Sequence, residues 1–193
     1  DNTTLIVSAR AGKNSDPLKT FEQDIAITNN IARAVAITPV KKCVYFSSIA
    51  VYGEAVENIH ITEETETSPT SLYGISRIAG EFAIKSAAEK SGIPLTVFRP
   101  CMIYGSGDRA FPYGPDLFLK CVLEEGAVKI FGEGTEVRDY LYIQDLVKVT
   151  EYFIHNNLSG TYLLGTGQSR SFVDIIECIK EITQRNVKTD RIE

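Results

Sequence analysis

Cys43-Val44-Tyr45-Phe46-Ser47-Ser48 is an unbroken apolar run that ends on two hydroxyls. A strand covered on both faces reads this way, because neither side of it meets water. Working upstream, Thr3-Thr4-Leu5-Ile6-Val7-Ser8 is a second run of the same kind. Between the two, Asp16-Pro17 opens a helical pattern that carries Phe21, Ile25, Ile31, Ala34 and Val35 to about Ile37, and Pro39 ends it. Downstream, polar residues 54–70 read as a surface loop. Leu72 to Ser91 then reads as a helix with Ile78, Phe82, Ala83 and Ile84 among its apolar positions. Gly92-Ile93-Pro94 stops it before a third strand, Leu95-Thr96-Val97-Phe98. Strands alternating with helices of this length predict βαβ units and a parallel sheet.

The rhythm changes after residue 105. Asp116 to Glu124 reads as a short helix. Val128 to Phe131 and Val137 to Tyr142 read as two short strands around the turn Gly132-Glu133-Gly134, a hairpin that suggests a second, smaller lobe. Ile143 to Asn156 follows as a helix, then Thr161 to Leu164 as a strand, and Ser171 caps a last helix from Phe172 to Thr183.

Composition narrows the function classes. The chain has 193 residues, 44% of them hydrophobic, and a net charge of −5. That is enough apolar content for a packed core, and the wrong sign for a nucleic-acid partner. No run is long and apolar enough for a membrane span, and Asp1-Asn2-Thr3-Thr4 is not a secretory leader. Cys43, Cys101, Cys121 and Cys178 form no C-x-x-C pair, and His60 and His155 have no partners at ligand spacing, so no metal site is expected. Reduced thiols and the lack of a leader predict a cytoplasmic protein.

Ligands of open α/β sheets bind beyond the carboxyl ends of the strands. Three segments fall there: Ser8-Ala9-Arg10-Ala11, Ser47-Ser48-Ile49-Ala50-Val51-Tyr52-Gly53, and Arg99-Pro100-Cys101-Met102-Ile103-Tyr104-Gly105. Between the last two, Tyr73 and Arg77 stand four apart at the start of a helix, hence on one face. A tyrosine hydroxyl is a poor base at neutral pH, and a fixed cation beside it favours the phenolate. With a serine hydroxyl on the same substrate oxygen, the trio suits proton transfer during oxidation of an alcohol or reduction of a ketone.

The series Ser47-Ser48-x-x-Val51-Tyr52-Gly53, Ser71-x-Tyr73-Gly74-x-Ser76 and Arg99-Pro100-x-x-x-Tyr104-Gly105 resembles the extended short-chain dehydrogenase/reductases, the sugar-nucleotide epimerases and dehydratases. The 25-residue interval from Ser48 to Tyr73 fits that family. Gly132-x-Gly134-x-x-x-Arg138-Asp139-Tyr140-x-Tyr142-x-x-Asp145 resembles its nucleotide-diphosphate segment, and Gly160 to Gly167 the strand and turn that follow. The resemblance implies an α/β fold: an incomplete Rossmann-type parallel sheet over residues 1–105, with a smaller C-terminal substrate lobe over 106–193, some of whose elements return to the sheet. It implies Tyr73 as acid/base, with Ser48 on the same sugar oxygen and Arg77 beside them. Ala9, Arg10, Ser47, Tyr73, Arg77, Pro100 and Met102 would line NAD (or NADP), and Ser48 and Arg138 the nucleotide-sugar substrate. Asp139 and Asp145 read as structural turn and helix-start residues. Relatives commonly dimerise through the helix that holds the tyrosine, which makes Ile78, Phe82, Ala83 and Ala87 candidates for a homodimer face.

Three features depart from the pattern. Arg77 stands where the family has lysine, Met102 where many relatives have a polar residue, and no G-x-x-G-x-x-G turn occurs. That turn precedes the strand that Thr4-Leu5-Ile6-Val7 resembles, so the sequence is expected to lack the first βαβαβ portion. Ile49 and Ala50 occupy the place of the dehydratases' acidic run and cannot exchange protons. Epimerisation is therefore favoured over dehydration. The alternatives are a 4-keto reductase, or an impaired dinucleotide-binding relative in which Arg77 and Met102 mark lost activity.

Overall fold

The computed structural model describes residues 3–12, 14–53, 60–107 and 114–192. They form two units: Asp1–Pro100 with Val149–Leu164, and Cys101–Lys148 with Gly165–Glu193.

The first unit is the parallel sheet expected from the apolar runs. Strands β1 (Thr4–Val7), β2 (Lys42–Phe46), β3 (Leu95–Pro100) and β7 (Gly160–Leu164) lie in the order β1-β2-β3-β7, all parallel. Helix α1 (Pro17–Ile37) starts on an Asp16 cap with proline in its first turn, a pairing that satisfies an orphan N–H and presets φ. Helix α2 (Leu72–Ser91) starts on Ser71, whose hydroxyl accepts from the Gly74 N–H at 3.1 Å, and ends at Gly92 in the left-handed conformation.

Side chains alternate across the sheet, so each face has its own core. Cys43, Tyr45 and Val97 pack with Val7 against Val35, Ile84 and Ala88 of the two helices. On the opposite face the ring of Phe98 lies 5.6 Å from Phe46 and 5.1 Å from Phe153, and Phe153 lies 4.7 Å from Tyr162. Each side chain of this kind stabilises the fold by about 1.5–3 kcal/mol on full burial. Lys42 is the exception among the β2 residues. It is buried, and its ammonium donates to the carbonyls of Phe153 (3.1 Å) and Leu158. Burial lowers its pKa from the usual lysine value.

The second unit corrects one expectation. Strand β5 (Ala127–Phe131) does not form a hairpin with β6 (Val137–Tyr142). It pairs in parallel with β9 (Lys188–Ile192), while β6 pairs in parallel with β4 (Met102–Tyr104) and antiparallel with β8 (Ser169–Ser171). The connection carries Gly132 and Gly134 at φ +56° and +69°, and a Cβ at Gly134 would meet the Ile130 side chain at 2.8 Å. The chain is thus folded tightly back on β5 and leaves for another sheet. Adjacency in sequence suggested a hairpin, but the apolar residues of β5 have a better place to go. Val128 and Ile130 join Phe118 and Val122 of α3 (Pro115–Glu124) and Ile176 and Ile179 of α5 (Phe172–Thr183) in one core. The short strands β4, β8 and β9 carry no apolar alternation long enough to be seen in advance. Helix α4 (Ile143–His155) runs between β6 and β7 in the chain. Among the described residues no helix is long and apolar enough to cross a membrane.

Candidate active site

The register sets Val7 beside Tyr45 and Phe46 beside Phe98. Ser8–Ala11, Ser47-Ser48 and Pro100 therefore leave the sheet at the same edge, the carboxyl ends of β1, β2 and β3. Ser48 opens the 3-10 turn Ile49–Tyr52, and its Oγ accepts from the Ala50 N–H at 3.2 Å. That bond fixes the oxygen and leaves the hydroxyl hydrogen to donate elsewhere.

Gly74 brings the tyrosine helix to this turn. A Cβ there would stand 2.4 Å from the Ala50 carbonyl oxygen and 3.0 Å from Pro69 Cβ, so only glycine lets the first turn of α2 approach so closely. Tyr73 is half-buried in that first turn. Two guanidinium groups lie over its ring, Arg77 at 5.1 Å and Arg10 at 5.0 Å from the ring centroid. Arg10 is exposed, whereas Arg77 is 4% exposed. Arg77 Nη2 donates to Asp24 at 3.1 Å and Nη1 to the Ala9 carbonyl at 3.5 Å. Its Nε is buried and has no partner among the described residues. Asp24 Oδ1 also accepts from the Ala11 N–H at 2.7 Å.

A second buried network lies beside the first. The Ser47 hydroxyl donates to Glu81. Arg99 Nε and Nη2 donate to the two oxygens of Glu81 at 2.9 and 2.6 Å, and Nη1 donates to the Tyr52 hydroxyl at 2.9 Å. Burial disfavours the charged guanidinium, but the bonds to Glu81 and Tyr52 outweigh it and hold the Arg99 pKa above the usual arginine value. Pro100, buried, ends β3 just past this pair.

The first unit thus gathers Ala9, Arg10, Ser47, Ser48, Tyr73, Arg77 and Pro100. Met102 and Arg138 belong to the second unit. Met102 is half-buried and starts β4, its Cα in register with Tyr140. Arg138 sits on β6, pairs with Glu136 and donates to the Val137 carbonyl at 2.8 Å. Asp139 accepts from the Thr166 hydroxyl at 2.6 Å and the Gly167 N–H at 2.8 Å, tying down a turn.

Sequence reasoning missed Asp24 and Glu81. Both carried a signal. Asp24 falls on the buried stripe Asp24, Thr28, Val35 of α1, where a charge is out of place, and Glu81 follows Tyr73 and Arg77 at intervals of four.

The model of the NAD dependent epimerase/dehydratase family matches residues 4–165. The chain belongs to this family. It is 31% identical over 148 residues to an uncharacterized UDP-glucose epimerase of Bacillus subtilis, covering 74% of this chain and 45% of that protein. It is 27% identical over 186 residues to a UDP-glucose 4-epimerase of Lactobacillus helveticus, covering 86% of this chain and 56% of that one. The solved UDP-glucose 4-epimerase of Thermotoga maritima, bound to UDP-glucose, superposes with a TM-score of 0.84 at 26% identity, over 98% of this chain and 63% of its own. The family chain described here thus spans about half the length of the curated relatives it matches.

Proposed function

We propose that the protein is an NAD-dependent nucleotide-sugar 4-epimerase and that this chain supplies its acid/base centre. The observation that carries the reading is the Tyr73 ring with the Arg10 and Arg77 guanidinium groups over it, on a helix packed against the turn that Ser48 caps. Relatives named as UDP-sugar 4-epimerases support a UDP-linked sugar, and Ile49 and Ala50 offer no acid or base for dehydration.

The residues present fit the nicotinamide end of the cofactor. The buried Arg77 Nε–H is a donor without an acceptor among the described residues, at the carboxyl edge of a parallel sheet. Ala9, Arg10, Ser47, Tyr73, Arg77 and Pro100 would hold that end. NAD, when bound, supplies a hydride acceptor that can also return the hydride. Tyr73 takes the proton of the sugar hydroxyl as its carbon reaches the ketone level, and gives it back when the alcohol re-forms with opposite configuration. Ser48 donates its free hydroxyl hydrogen to the same sugar oxygen. The two guanidinium groups offset the negative charge that Tyr73 carries before it takes the proton and again once it has given it back. Arg138 offers a planar fork to a phosphate of the substrate.

Four free cysteines support a cytoplasmic location, and Phe82, 70% exposed on α2, supports contact with a second copy in a homodimer.

The test is turnover by the full-length protein given NAD and a panel of UDP- and dTDP-sugars. Tyr73→Phe is expected to lower product formation at least about 100-fold without loss of fold. Product formed at the unchanged rate would sink the mechanism.

A further inference from the structure

The geometry points to Asp24 as the positioning residue of this site: one buried carboxylate that fixes Arg77 against the Tyr73 ring and, at the same time, fixes the turn after β1 that carries Ala9 and Arg10.

Asp24 lies in the interior of α1 and is 3% exposed. A buried ion pair is a weak source of stability, since apolar residues of similar volume serve a core as well or better. Its presence on the buried stripe of α1 therefore calls for a positional reason, and its contacts supply one. Oδ1 accepts from Arg77 Nη2 at 3.1 Å and from the Ala11 N–H at 2.7 Å. Arg77 in turn reaches the Ala9 carbonyl at 3.5 Å. The loop Asp24, Arg77, Ala9, Ala11, Asp24 closes on itself across α1, α2 and the end of β1. Both guanidinium groups beside Tyr73 hang from it: Arg77 directly, and Arg10 because it stands between two residues the loop holds.

The same loop explains how arginine works at position 77. A guanidinium is a planar fork with several fixed donors. One arm goes to Asp24, one to Ala9, and Nε remains. The carboxylate sets the plane of the fork, and the plane sets which way the remaining donor and the positive charge face. Asp24 touches neither substrate nor cofactor in this account; it acts through Arg77.

The kinetic arm of the test rests on the epimerase reading and the exchange arm does not. Asp24→Asn keeps an acceptor for Ala11 and removes the charge that orients Arg77. It is expected to lower kcat about tenfold, as a small misplacement of a reacting group does, and to leave KM within about twofold. In an Arg77→Met background the same change at position 24 is expected to cost nothing further. Losses that multiply instead, or an unchanged kcat in the single variant, would overturn the proposal. Asp24→Ala also removes the acceptor for Ala11. Amide hydrogen exchange over residues 9–12 is then expected to speed up, while Asp24→Asn leaves it as it was. Equal exchange in Asp24→Ala and the parent protein would show that the carboxylate does not hold this turn, whatever the protein's substrate proves to be.

Discussion

Replacing Glu81 by glutamine tests whether the core beneath Ser47 is held by charge or by shape. The Glu81 and Arg99 side chains are 9% and 10% exposed, so neither ion is screened by water. Glu81 accepts three bonds, two of them from the guanidinium at 2.9 and 2.6 Å and one from the Ser47 hydroxyl. Glutamine can keep one oxygen on Arg99 Nε and Ser47. Its amide NH2 then faces Arg99 Nη2, a donor against a donor. A bond to a charged group contributes about 1.5–3 kcal/mol, and a buried charge that loses its partner costs about 3–5 kcal/mol. Because glutamine keeps part of the network, about 3 kcal/mol is the expected loss. For a chain of this size that lowers the melting midpoint by about 6–12 °C. Urea and thermal unfolding followed by circular dichroism would measure it. Glu81→Leu combined with Arg99→Met should recover part of the loss, since no unpaired ion remains, though the Ser47 hydroxyl loses its acceptor. A cost below about 1 kcal/mol for Glu81→Gln, or a double variant worse than both singles together, would refute the view that the pair is locked by charge.

Other expectations follow from single contacts. Gly74→Ala should destabilise the fold by about 1–3 kcal/mol and depress turnover, because the added Cβ would stand 2.4 Å from the Ala50 carbonyl oxygen and push Tyr73 away from the Ser48 turn. Gly12→Ala, with nothing within 4 Å of the added atom, should be close to neutral in the same unfolding assay. Iodoacetamide at mildly alkaline pH should label Cys178, which is exposed, and leave Cys43 and Cys101 unmodified until the protein unfolds. Burial pushes the Cys43 thiol up to about 11, and burial followed by the charge of Asp139 pushes Cys101 up to about 12. Both therefore stay protonated well above neutral pH, and rapid labelling of either in the native protein would contradict this packing. Ser171→Ala should loosen α5 by about 1 kcal/mol, read as faster amide exchange in its first turn, because Ser171 and Asp174 cap each other reciprocally. The Ser171 bonds hold the Asp174 pKa below the ordinary carboxylate value. The folded pKa is the lower one, so this contribution is present above the ordinary carboxylate range and is lost as pH falls through the folded value.

The parallel sheet was legible because its evidence is continuous. Runs such as Cys43 to Phe46 leave no polar position for water, and the helices after the first two runs have clear start and stop residues. The second unit was harder to read because strand pairing there is set by cores that lie far apart in sequence. Val128 and Ile130 reach Ile176 and Ile179, and β9, the strand that pairs with β5, is exposed along its whole length. No local pattern marks such a strand. The hairpin expected between β5 and β6 failed for that reason: a five-residue connection with two left-handed glycines permits a reversal and equally permits a departure.

The site divides along the same line. Ser48 and Tyr73 announce themselves because each belongs to a short motif with fixed spacing. The residues that hold them do not. Asp24 is 53 residues from Arg77, and Arg99 is 47 residues from Tyr52. Their signal is negative: a charge on a stripe that should be apolar. Such a position, read beside an unexpected arginine at 77, already implies a partner for it, because a buried guanidinium cannot stand uncompensated. Arginine in place of lysine is then one half of a matched pair, with Asp24 as the other. If that is right, Arg77→Lys in this protein should not repair a defect. A single ammonium cannot hold Asp24 and the Ala9 carbonyl in the geometry of the fork, so turnover should fall rather than rise, by more in kcat than in KM. A faster Arg77→Lys enzyme would mean that the arginine is a handicap and the Asp24 contact a consequence of it.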